Sequence, residues 1–143
     1  MTLNVDHLTR TIDTLERALE ALKRPDLDGI EYDLFRNAAI KSFELSLETT
    51  GKLLRRALKA YTGNPDSVDR LVFNEVLRQA GKHGLLNVDE VERWLAYRTN
   101  RNTTAHDYGE GFANETLSLL PRFITDARQL VLQLQERFHA ADD

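Results

Sequence analysis

No cysteine occurs in the 143 residues, so neither a disulfide framework nor a thiolate zinc site can form. Methionine and tryptophan occur once each, beside 7 glycines and 3 prolines, a punctuation that suits long helices joined by short turns. No segment approaches the roughly 20 consecutive apolar residues of a membrane helix. The start, Met1-Thr2-Leu3-Asn4-Val5-Asp6, lacks the basic segment and apolar run of a secretory signal. A cytoplasmic location without membrane attachment is therefore the expectation. An excess of positive charge is missing too: 19 basic against 23 acidic side chains give −4. That argues against a general polyanion-binding surface, so nucleic acid would have to bind through a local patch.

Several chemical motifs are also absent. The histidines, His7, His83, His106 and His139, show no i,i+4 pairing, so there is no helical zinc motif. There is no phosphate loop and no G-x-S-x-G elbow. Gly109-Glu110-Gly111 lacks the third glycine and preceding strand of a dinucleotide loop. No metal and no cofactor are expected.

What remains is helical periodicity. With 41% hydrophobic and 29% charged residues, the chain has an ordinary globular balance, and its length suits one domain over residues 1–143. Val5, Leu8, Ile12, Leu15, Leu19 and Leu22 step by three and four, the stripe of a helix ended by Pro25. A second helix runs from about Tyr32 to Tyr61, with Phe35, Ala39, Phe43, Leu47, Leu54 and Leu58 on one face. Lys41, Glu44, Glu48, Lys52, Arg55 and Lys59 lie on another side. That stripe reads first as a solvated face; alternatively Lys52, Arg55 and Arg56 add positive potential beside a phosphate-binding cleft. Asp66 or Ser67 caps a third helix with Leu71, Val72, Val76, Leu77 and Ala80 inside, closed by Gly81 and Gly84. Asn87 caps a fourth, which carries Trp94 and Tyr97. A last helix starts near Asn114, with Leu120, Phe123, Ile124, Ala127, Val131, Leu134 and Phe138 on its apolar face and a kink or late start at Pro121. The expectation is an all-α, up-and-down bundle of four to five helices.

The apolar pattern lapses once, at Arg101-Asn102-Thr103-Thr104-Ala105-His106-Asp107-Tyr108, followed by Gly109. A guanidinium, an amide, an imidazole and a phenol crowd into eight positions. Arg101 and His106 are five residues apart, about 140° around an ideal helix, and would not converge on one straight helix. Either the helix breaks near Thr103-Thr104, or the two groups meet counterparts from a second subunit. The plainer alternative is that Arg101 and His106 only serve the end of a helix.

These residues resemble the signature of the HEPN superfamily, an Arg, a polar residue, a short spacer and a His. His106-Asp107-Tyr108 resembles the H-x-Y extension of its HepT branch, also described as nucleotidyltransferase substrate-binding proteins. Arg36, Ile40, Phe43-Glu44, Glu48 and Lys52 follow the pattern R-x-x-x-I-x-x-F-E-x-x-x-E-x-x-x-K of that branch. Many relatives carry Trp before the Lys, where this chain has Gly51. The resemblance covers the chain from about Val5 to Phe138.

The resemblance implies a homodimeric, metal-independent ribonuclease toxin of a type VII-like toxin–antitoxin pair, with Arg101, Asn102 and His106 as its active-site residues. Its partner would be a minimal nucleotidyltransferase antitoxin that transfers AMP from ATP to Tyr108. The residue types suit that chemistry. A histidine with an unperturbed pKa near 6.5 exchanges protons at neutral pH, and an arginine holds phosphoryl oxygens in a bidentate fork. A second reading keeps the dimer and the nucleotidyltransferase partner but no catalysis.

Overall fold

The computed structural model describes residues 2–106 and 110–139, and the backbone alone for residues 102–106 and 110–112. Among the described residues there are six helices and no strand. The first, α1 (Asp6–Leu22), buries Leu8, Ile12, Leu15 and Ala18, the stripe its spacing predicts. A short loop then leads into α2 (Gly29–Leu58), which continues as a 3-10 turn over Lys59–Tyr61. Asp28 starts α2 earlier than the apolar pattern alone suggests. Its carboxylate accepts from the Glu31 amide at 2.8 Å and the Glu31 carboxylate accepts from the Asp28 amide at 3.4 Å, a reciprocal cap that satisfies two free backbone donors.

The expected third helix is two. A single turn, α3 (Asp66–Asp69), is separated by Arg70–Val72 from α4 (Phe73–Lys82). Val72 is extended, with φ −72° and ψ 158°, so the periodicity of Leu71, Val72 and Val76 runs through a break that it cannot reveal. Gly84 takes φ +74° just beyond α4, where a residue without Cβ suits the left-handed turn. Gly81 is inside the helix instead of ending it, where an added Cβ would lie 2.7 Å from Val91 Cγ2.

Asn87 and Glu90 form a second reciprocal cap, at 2.8 and 2.9 Å, opening α5 (Val88–His106). The last helix, α6 (Glu110–Arg137), starts before Asn114 and carries Pro121 within it. The expected late start at Pro121 is therefore corrected: about three helical turns precede it.

The helices enclose one apolar core. Phe43 of α2, Trp94 and Tyr97 of α5 and Phe123 of α6 meet edge to face, with Phe43–Phe123 centroids 4.9 Å apart and Trp94–Phe123 centroids 5.3 Å apart. Such rings bury the largest areas available to a core and prefer this T-shaped contact. Ser46 donates to Thr11 Oγ1 at 2.8 Å inside the α1–α2 contact, and Thr11 in turn donates to the Leu8 carbonyl, so these buried hydroxyls are partnered. The two ends of the chain meet where the Leu3 amide donates to the Phe138 carbonyl at 3.2 Å. None of the described helices is long and apolar enough to cross a membrane.

Candidate functional site

The C-terminal half of α5 carries the candidate residues, and α6 fixes its position. Asp126 of α6 is 3% exposed in the middle of an otherwise apolar face. Arg93 grips it in a bidentate pair, Nε to Oδ2 at 2.8 Å and Nη2 to Oδ1 at 2.9 Å. Tyr97 donates to Oδ2 at 2.5 Å, and Arg122 approaches to 3.9 Å. Burial, followed by this hydrogen bond and the nearby carboxylate charge, pushes the Tyr97 phenol well above its ordinary range. A few turns away, Thr116 Oγ1 donates to Asn100 Oδ1 at 2.9 Å, directly before Arg101. A buried carboxylate so well partnered is a strong orienting joint between two helices, because its lone pairs have no water to fall back on.

With that face of α5 committed to α6, Arg98 and Arg101 line a cleft on the side of α2 and α4. The cleft measures about 490 Å³ and is also bounded by Lys52, Arg55, Gly51 and Phe73, with Glu44 and Glu48 on the α2 wall. Four cationic side chains thus face two carboxylates, and Glu48 is paired with Lys52 at 3.5 Å. Arg101 is half-buried and has no hydrogen bond or ion pair among the described residues. Arg98 lies over the Phe73 ring, 5.0 Å from its centroid, within cation–π range. A chain of net charge −4 therefore concentrates positive charge in one place.

The charged stripe of α2 divides between its two readings. Lys41, Glu48, Lys52 and Arg56 are exposed or nearly so, but Arg55 is half-buried. Its Nη1 donates to the carbonyls of Val68 and Leu71 at 3.1 and 2.7 Å, holding the α3 turn against α2. Lys52 and Arg55 line the cleft, whereas Arg56 does not. Gly51 has a local reason: a Cβ there would lie 2.7 Å from Phe73 Cε2, so the ring of α4 occupies the space beside this glycine.

The chain is matched over residues 3–136 by the family described as "Nucleotidyltransferase substrate binding protein like". It belongs to that family. A Haemophilus influenzae relative named "Probable ribonuclease HepT" is 31% identical over 109 residues, which cover 76% of this chain and 73% of that protein. The solved structure of HI0074 from Haemophilus influenzae aligns with a TM-score of 0.82 and 26% identity, covering 92% of this chain and 99% of that one. It is described as revealing the fold of a substrate-binding domain of a nucleotidyltransferase. A Thermus thermophilus crystal structure aligns with a TM-score of 0.66, also at 26% identity, over 90% of this chain and 98% of that one. The HepT-like resemblance of the Arg101–Tyr108 stretch and the α2 pattern agrees with these matches.

For this family member, the proposed site residues fall differently. Arg101 faces the cleft. Asn102 and His106 lie on α5, whose backbone is helical through His106, and their side chains are outside the described residues. Tyr108 is outside them altogether. The expected break near Thr103-Thr104 is absent: α5 runs as one helix from Val88 to His106. At about 100° per residue, Arg101 and His106 start from backbone positions about 140° apart. A joint site formed through a break in α5 is therefore not what the described backbone shows. Arg98 and Phe73 were not singled out by sequence, although Arg98 sits one helical turn before Arg101. Asp126 was missed as well, and its signal is an acid flanked by Phe123, Ile124, Ala127 and Leu130.

Proposed function

We propose that this HepT-like chain is the ribonuclease toxin of a type VII-like toxin–antitoxin pair, cleaving RNA without a metal as a homodimer. The observation that carries the reading is Arg101, half-buried and without a partner among the described residues, in a cleft lined by four cationic and two acidic side chains. The name of the Haemophilus relative, "Probable ribonuclease HepT", supports it. Because α5 is continuous, Arg101 of one copy is paired in this reading with His106 of the other across a two-fold axis. His106 takes the proton of the ribose 2′-OH, whose oxygen bonds to the adjacent phosphorus. The bond from phosphorus to the 5′-oxygen then breaks, a proton returns to that oxygen, and a 2′,3′-cyclic phosphate and a 5′-hydroxyl result. Arg101 offsets the charge that builds on the phosphoryl oxygens, and Asn102 orients the substrate or the imidazole. AMP transferred from ATP by a minimal nucleotidyltransferase, the Tyr108 oxygen bonding to the α-phosphorus as pyrophosphate leaves, places an anion two residues from His106 and blocks the groove by bulk and like charge.

His106→Ala tests this reading. RNA cleavage and growth inhibition should disappear, while helicity and dimer size in solution stay unchanged; equal toxicity from the variant would refute it. The description of HI0074 as a substrate-binding domain favours a second reading, a helical dimer that binds a nucleotidyltransferase without hydrolysing RNA. A wild-type protein that forms a stable complex with that partner, yet cleaves no RNA, would select it.

A further inference from the structure

Arg101 gives the RNA phosphate a place, but the bases have none in the reading above. We propose that Arg98, resting on Phe73, forms a nucleobase-stacking subsite beside Arg101, so that the cleft takes single-stranded RNA by one base and its neighbouring phosphate. This rests on RNA being the ligand of the cleft.

The subsite is built from three elements. Phe73 is the first residue of α4 and is half-buried. Its ring edge beds against Gly51 of α2, where even a methyl group would come within 2.7 Å. The guanidinium of Arg98 lies over that ring at 5.0 Å and has no hydrogen bond or ion pair among the described residues. An arginine laid on an aromatic ring presents a flat cationic plate, and unstacked RNA bases bind on such planes. Arg101 follows one turn later, about 4.5 Å along the helix axis, within reach of the same nucleotide. On the α2 wall Glu48 is paired with Lys52 and Arg55 is held by the Val68 and Leu71 carbonyls. The cations of the cleft left without a hydrogen bond or ion pair among the described residues are therefore Arg98 and Arg101, which favours a phosphate path along α5. Bases inside a duplex are already stacked and cannot use this plate, so the subsite selects single strands.

The test uses His106→Ala protein, so that RNA survives the measurement, with anisotropy titrations of a labelled short single-stranded RNA and its abasic counterpart. Arg98→Lys, which keeps the charge and loses the plane, should weaken binding of the intact RNA about 5-fold or more and leave abasic RNA unaffected. Arg101→Ala should weaken both. Phe73→Leu, checked for folding by thermal unfolding, should act like Arg98→Lys. Equal losses for both RNAs in Arg98→Lys, equal wild-type affinity for both, or no RNA binding at all would each overturn the subsite. Base-dependent binding by a wild-type protein that cleaves nothing would sustain the subsite and refute the ribonuclease reading alone.

Discussion

Asp126→Asn removes one charge from the joint between α5 and α6 while leaving its shape nearly intact. In the folded protein the Asp126 carboxylate, 4% exposed as a side chain, accepts two bonds from Arg93 and one from Tyr97. An amide replaces one acceptor oxygen with a donor, so one of the three donors then faces a donor. Hydrogen bonds to charged groups contribute roughly 1.5–3 kcal/mol each, and breaking a fully buried ion pair costs about 3–5 kcal/mol. Arg93 keeps 30% of its side chain exposed and regains some water, and Arg122, at 60% and 3.9 Å, adds almost nothing. The expected loss is therefore about 2–4 kcal/mol, or a fall of about 5–15 °C in Tm for a chain of this size. Urea unfolding followed by the fluorescence of Trp94, fully buried with its ring 5.6 Å from that of Tyr97, reads this loss directly. Once Asp126→Asn is in place, Arg93→Ala should cost much less than it does alone. A loss below about 1 kcal/mol, or strict additivity of the two changes, would refute the joint.

The same network sets the alkaline limit. The folded chain holds Tyr97 protonated above its ordinary pKa of 10.0, where the unfolded chain releases the proton. The stabilisation is thus complete below pH 10 and declines as pH rises beyond it; Tyr97→Phe should flatten that part of a stability–pH curve measured by urea unfolding. Arg55→Ala removes the donor from the Val68 and Leu71 carbonyls and should cost about 1–3 kcal/mol. Faster amide exchange should appear across Ser67–Leu71 in that variant, and unchanged exchange there would show that the α3 turn is held by something else.

The α-helical class, the core faces of α1, α2 and α6 and the caps at Asn87 and Gly84 were legible in the sequence, because each depends on residues within a turn or two of one another. The same locality exposed the Arg101–Tyr108 stretch as the interruption worth reading. Spacing failed wherever the deciding interaction came from elsewhere in the chain. Residues Leu71 to Val76 keep a helical rhythm across the extended Val72, and Arg55, 13 residues before Val68, supplies the bond that fastens the turn before it. Thr103 and Thr104 lower helix propensity by only tenths of a kcal/mol, too little to end α5.

The sequence by itself determined that this protein is helical, which faces its helices bury, and where one polar stretch interrupts the apolar pattern, since propensity, periodicity and capping are local properties. Only the tertiary structure decided where Arg101 points and what surrounds it. The Asp126 joint turns α5, Arg98 settles on Phe73, and Gly51 leaves room for that ring. Each of these is a contact between residues distant in the chain, made only when the helices pack. One further fact of the folded chain bears on the motif: the α5 backbone is continuous from Val88 to His106, which sets Arg101 and His106 about 140° apart around a single helix.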